Sequence, residues 1–82
     1  MSARIEFTVE PFDPGRPGRH VSAAIDAARG VDGVVVDVGP FGTSITGPTA
    51  STVEALQAAT IAALREGATR VSSQVERLET EP

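Results

Sequence analysis

The opening segment constrains this chain more than anything after it. Ala3, Ile5, Phe7 and Val9 fall on one side of an extended backbone, and Arg4, Glu6, Thr8 and Glu10 on the other. An apolar side that repeats every second residue can be hidden only as a half-buried strand. The chain must therefore build a sheet with one covered face and one open face. The same alternation returns over Thr69–Leu78, with Val71, Ser73 and Val75 against Arg70, Ser72, Gln74 and Glu76.

Between these strands the pattern changes character several times. Pro11 to Gly18 holds three Pro and two Gly in eight residues, which forbids ladder and helix alike and predicts a loop with Arg16 and Arg19 at its basic end. Val21, Ala24, Ile25 and Ala28 then recur at helical spacing, predicting a short Ala-rich helix over about 18–29 that stops at Gly30. Val34–Val38 is β-branched and Thr43–Thr46 is a second short strand; Gly39-Pro40-Phe41-Gly42 between them predicts a hairpin, and Gly47-Pro48 its end. Ser51-Thr52-Val53-Glu54 matches a capping box with Ser51 as N-cap. Val53, Leu56, Thr60, Ile61 and Leu64 follow as the expected buried stripe, with Ala59 and Ala63 flanking it, and the helix ends at Glu66-Gly67. Glu79–Pro82 is expected to fray.

The order is β-α-β-β-α-β. Two right-handed crossovers around one hairpin predict an α+β ferredoxin-like sandwich, a four-stranded antiparallel sheet with both helices on one face. With 82 residues the expectation is a single domain over 1–82. So small a core, with three Phe and neither Trp nor Tyr, predicts that self-association adds stability.

Composition removes several function classes. Seven basic residues against eleven acidic ones leave a net charge of −4, a poor match for nucleic acid or an anionic membrane. No apolar run approaches the roughly 20 residues of a membrane span, and the start Met1-Ser2-Ala3-Arg4-Ile5-Glu6 has no apolar signal core. A cytoplasmic location is the default expectation. The chain has no Cys and no Lys, which excludes thiolate chemistry and a phosphate loop with its lysine. His20 is the single His, so no His pair exists for metal or proton relay. No Gly-x-Ser-x-Gly elbow is present. No catalytic residue, metal or cofactor is expected.

The hairpin segment Gly39-Pro40-Phe41-Gly42-Thr43-Ser44-Ile45-Thr46-Gly47 carries a resemblance, together with Glu6-Phe7-Thr8-Val9-Glu10-Pro11 and Glu66-Gly67-Ala68-Thr69-Arg70-Val71. In this order, over nearly the whole chain, these segments resemble the small thiamine-binding protein family. The resemblance implies the ferredoxin-like fold, homodimers or homotetramers, and non-enzymatic binding of thiamine or its hydroxymethylpyrimidine part. The matching positions are Pro11, Pro40, Phe41, Gly42, Thr43, Ile45, Gly47 and Arg70. Where the family has Glu before the last Gly of the hairpin, this chain has Thr46, a neutral partner for an aminopyrimidine.

The expected ligand site is a pocket near Gly39–Gly47, formed by Phe12, Phe41, Gly42, Thr43, Thr46 and Glu10, with room for a second subunit to complete it. Phe12 and Phe41 would stack on a flat ring, and a carboxylate from Glu6, Glu10 or Asp37 would supply charge. Phe41 has a plainer alternative as a cap on the core, and Arg70 as an ion-pair partner of Glu6 or Glu10 across strands. A second reading keeps the fold without the ligand, as an oligomerisation or protein-interaction module. A third, an enzyme, would need His20 to line a cavity.

Overall fold

The structure, a computed structural model, describes residues 1–13 and 15–78. The expected frayed tail, Glu79–Pro82, lies outside the described residues. The elements are β1 (Ser2–Glu10), α1 (Arg19–Arg29), β2 (Val35–Val38), β3 (Thr43–Pro48), α2 (Thr49–Arg65) and β4 (Arg70–Leu78). The four strands form one antiparallel sheet in the order β2-β3-β1-β4. This is the ferredoxin-like arrangement that the element order predicts, with β1 and β3 central and β2 and β4 at the edges.

Register decides which residues meet. Val36, Ile45, Ile5 and Val75 stand in one row across the sheet. Asp37, Ser44, Glu6 and Gln74 stand in the next. Because side chains alternate, the first row faces the helices and the second faces away from them. Ile5 and Ile45 are fully buried, in a core completed by Phe7, Val9, Ala24, Ala28, Ala55, Ala59 and Ala63.

The second helix corrects the sequence expectation. Its buried residues are Thr52, Ala55, Ala59 and Ala63, while Val53, Ile61 and Leu64 are exposed. The large side chains were the expected stripe; the small ones lie inward because α2 packs closely on both α1 and the sheet, and a close approach of backbones admits only small side chains. Thr52 is tolerated there because its hydroxyl donates to the Thr49 carbonyl at 2.9 Å.

The start of α2 differs too. Ser51 is not its N-cap. The helix begins at Thr49 with Pro48 as N-cap and no side-chain cap. β3 runs on through Gly47 and Pro48 and passes directly into the helix, so the Thr49 N–H donates to the carbonyl of Met1, the residue before β1, at 3.0 Å instead. Gly47 is thus a strand residue rather than a turn. An added Cβ there would lie 2.6 Å from the Gly33 carbonyl oxygen, so only glycine lets the loop before β2 cross that close.

Candidate functional site

The hairpin turn at Gly39–Gly42 is closed by the Gly39 N–H donating to the Gly42 carbonyl at 2.8 Å. Gly42 lies tight against β1, where an added Cβ would be 3.2 Å from the Phe7 carbonyl oxygen and 3.3 Å from Thr8 Cγ2. With that side of the turn held flat, the ring of Phe41 projects outward, 77% exposed. An exposed phenylalanine at a fixed turn is a poor core cap and a ready stacking surface.

A cavity lies on each side of this turn. The larger, about 630 Å³, sits over the open face of the sheet. Its floor is the row Asp37, Ser44, Glu6 and Gln74, extended by Arg4, Thr8 and Ser72, and its rim is Gly39 to Thr43. The smaller, about 240 Å³, lies on the helix side, between the turn and the Pro11–Gly18 loop, and is walled by Phe12, Pro17, Val21, Ile25 and Val38. Phe41, Gly42 and Thr43 line both.

The structure therefore brings together only part of the expected site. Phe41, Gly42 and Thr43 are common to both cavities. Phe12 belongs to the apolar one alone, and Thr46 and Glu10 line neither. Thr46 stands beyond Ser44 on β3, opposite Arg4 and Val35. Glu10, at the far end of β1, accepts from Arg70 Nη2 at 2.8 Å and Nε at 3.1 Å. That settles the alternatives for Arg70 in favour of a cross-strand ion pair with Glu10.

Ser44, Ser72, Gln74 and Thr8 were not expected as site residues. Alternation alone places them on the open face; register is what gathers them in front of the turn. The larger cavity holds two carboxylates. Glu6 accepts from Arg4 Nη2 at 3.0 Å, whereas Asp37 makes no ion pair among the described residues. One guanidinium against two carboxylates leaves the cavity negative. Neighbouring strands are about 4.8 Å apart, so Asp37 and Glu6, two strands apart, flank Ser44 with roughly 10 Å between their backbones. That is room for one flat ring lying over Ser44, with hydroxyl, amide and carboxylate groups at its edges and Phe41 beside it.

His20 lines neither cavity. Its Nε2 lies 2.6 Å from the Pro11 carbonyl oxygen, which can only accept, so the ring donates there and ties the loop to α1. Among the described residues no group of three or more His, Asp or Glu is placed to hold a metal ion. No helix of the described residues is long and apolar enough to cross a membrane.

The fold has counterparts among solved structures. Over 98% of its length the chain superposes on 81% of the hypothetical protein MJ1052 of Methanocaldococcus jannascii, with a TM-score of 0.71 and 21% identity. It matches a domain of unknown function, DUF77, from Bacillus cereus over 92% of its own length and 72% of that chain, with a TM-score of 0.67 and 22% identity. Protein SP2199 of Streptococcus pneumoniae is similar over 99% of this chain and 89% of its own, with a TM-score of 0.63 and 27% identity. These likenesses show the fold. No family model matches the chain, and no curated protein matches it.

Proposed function

We propose that this chain binds a small flat nitrogen heterocycle without transforming it, and that the ligand is thiamine or its hydroxymethylpyrimidine part. The observation that carries this reading is the pairing, across one cavity, of the protruding Phe41 with the carboxylate of Asp37, which makes no ion pair among the described residues. An aminopyrimidine offers N–H donors that a carboxylate accepts, and ring nitrogens that Ser44, Ser72 or Gln74 can meet with donors. A cationic thiazolium is favoured by the negative balance of the cavity and by an aromatic face. The resemblance in the hairpin segment points to the same ligand class. In this reading Asp37 takes the part that the family gives to the Glu replaced here by Thr46. A cytoplasmic location belongs to the same proposal.

Titration calorimetry with thiamine and with hydroxymethylpyrimidine tests it. Saturable heat from either, lost in Asp37→Asn, is the expected result. Silence toward both at millimolar ligand would remove the ligand and leave the second reading, an oligomerisation or interaction module. That second reading is favoured by the outer edge of β4, which pairs with no further strand among the described residues.

A further inference from the structure

We propose that the smaller cavity, on the helix side of the turn, is a second ligand site, built for a neutral single-ring molecule that carries one hydroxyl group. It lies apart from the larger cavity and is opposite to it in chemistry.

Three observations carry it. The first is charge. Among the described residues no Arg, Asp, Glu or His lines the smaller cavity, whereas Arg4, Glu6 and Asp37 all line the larger. A charged ligand would lose its water there and meet no counter-charge. The second is apolar surface that the core leaves unused. Along the α1 stripe Ala24 and Ala28 are buried, but Val21 and Ile25 stay half-buried and line the cavity. Phe12 from the loop and Val38 from the edge strand β2 converge on the same space and remain exposed. The loop that forms the outer wall is fastened at both ends. The Arg16 N–H donates to the Asp13 carbonyl at 3.0 Å, and His20 donates to the Pro11 carbonyl at 2.6 Å. Loop, helix, edge strand and turn thus surround the space without filling it. An apolar cavity of roughly 150 Å³ holds benzene, so about 240 Å³ admits one ring with a short substituent.

The third observation is Thr43. Val38, Thr43 and Phe7 stand in one row across the sheet, and the buried Phe7 marks that row as belonging to the covered face. Thr43 is 7% exposed, and its hydroxyl makes no hydrogen bond among the described residues. Yet among those residues no buried side-chain oxygen is sealed off without a partner. The Thr43 hydroxyl therefore opens on the cavity that its row faces. An unpartnered hydroxyl, nearly buried among apolar walls, is a single polar point that fixes how a ligand lies. A ligand hydroxyl donates and accepts, so it matches this group in either sense.

The chain has neither Trp nor Tyr, so the fluorescence of para-cresol reports its binding without background. This phenol, the counterpart of a tyrosine side chain, is neutral at about pH 7. Saturable binding with a Kd of about 1 mM or tighter is expected. Amide NMR shifts should centre on Val21, Ile25 and Val38 rather than on Ser72 and Gln74. Thr43→Val keeps the shape and removes the hydroxyl; it should weaken para-cresol several-fold and leave toluene unchanged. Val21→Phe fills the space from a half-buried position and should abolish binding of both, with an unchanged circular dichroism spectrum. Benzoate, of similar size but charged, should bind at least about tenfold more weakly than para-cresol. Silence toward para-cresol at millimolar concentration, shifts centred on the open face, undiminished affinity in Thr43→Val or Val21→Phe, or benzoate binding as well as para-cresol each overturns the proposal. So does competitive displacement of para-cresol by thiamine, which would reduce the two cavities to one site. A chain that binds para-cresol and is silent to thiamine fails only the reading above, and one that binds thiamine alone fails only this one.

Discussion

The covered and open faces of the sheet are made by the same strands, residue by alternate residue, and they answer to different demands. On the covered face Ile5 and Ile45 are fully enclosed, and α1 and α2 press alanines against them. On the open face Asp37, Ser44, Glu6 and Gln74 meet solvent in front of the turn. Close packing punishes any change of volume. A solvated polar row tolerates change, because water replaces what a substitution removes. Stability therefore resides on the covered face, and the open face, where the proposed recognition would take place, can be altered with little effect on it.

The contrast breaks most visibly at Ile5. Ile5→Ala leaves a cavity between β1 and the helices and is expected to cost about 2–5 kcal/mol, read as a lowered urea midpoint. A domain of 82 residues has roughly 4–12 kcal/mol in all, so this one change removes a large share of the stability. A loss below about 1 kcal/mol would mean that the helices close over the gap, and that the covered face is softer than its alanine packing implies.

Ala59→Leu tests the same face from the helix side. Had α2 used the stripe of Val53, Leu56, Thr60, Ile61 and Leu64, a larger residue at the flanking position 59 would be absorbed. In the structure Ala59 is fully buried where α2 meets the core, and the added atoms are expected to cost about 1–3 kcal/mol by overpacking. The companion change Leu64→Ala, on the exposed side, should stay within about 0.5 kcal/mol.

These two positions show what the sequence does and does not reveal. Period-two alternation in β1 and turn chemistry at Gly39–Gly42 are local, and so the strands, the hairpin and the topology were legible. The buried side of α2 is not a local property. Size ranks Val53, Ile61 and Leu64 as core, but the core lies where α1, α2 and the sheet come closest, and there alanine wins. The start of α2 failed for a related reason: Ser51 fits a cap, yet the first helical N–H finds its acceptor in Met1, 48 residues earlier. The candidate site was legible in part. Phe41, Gly42 and Thr43 follow from the turn, whereas Ser44 and Gln74 become neighbours of Asp37 only through strand pairings between distant segments. Thr46 and Glu10 have the right chemistry but stand outside both cavities, which spacing along the chain could not disclose.

The smallest effect on stability sharpens the comparison furthest. Asp37 is exposed on the short edge strand β2 and pairs with Ser44. Asp37→Asn keeps its shape and removes its charge, so folding should change by no more than about 0.5 kcal/mol. A hydrogen bond to a charged group contributes about 1.5–3 kcal/mol, so affinity for thiamine should fall roughly ten- to a hundredfold. Thr46→Ala, on the same face but outside the cavity, should leave affinity unchanged. If instead Thr46→Ala weakens binding and Asp37→Asn does not, the ligand sits farther along β3 than the cavity does, and recognition follows the hairpin strand rather than the row in front of its turn.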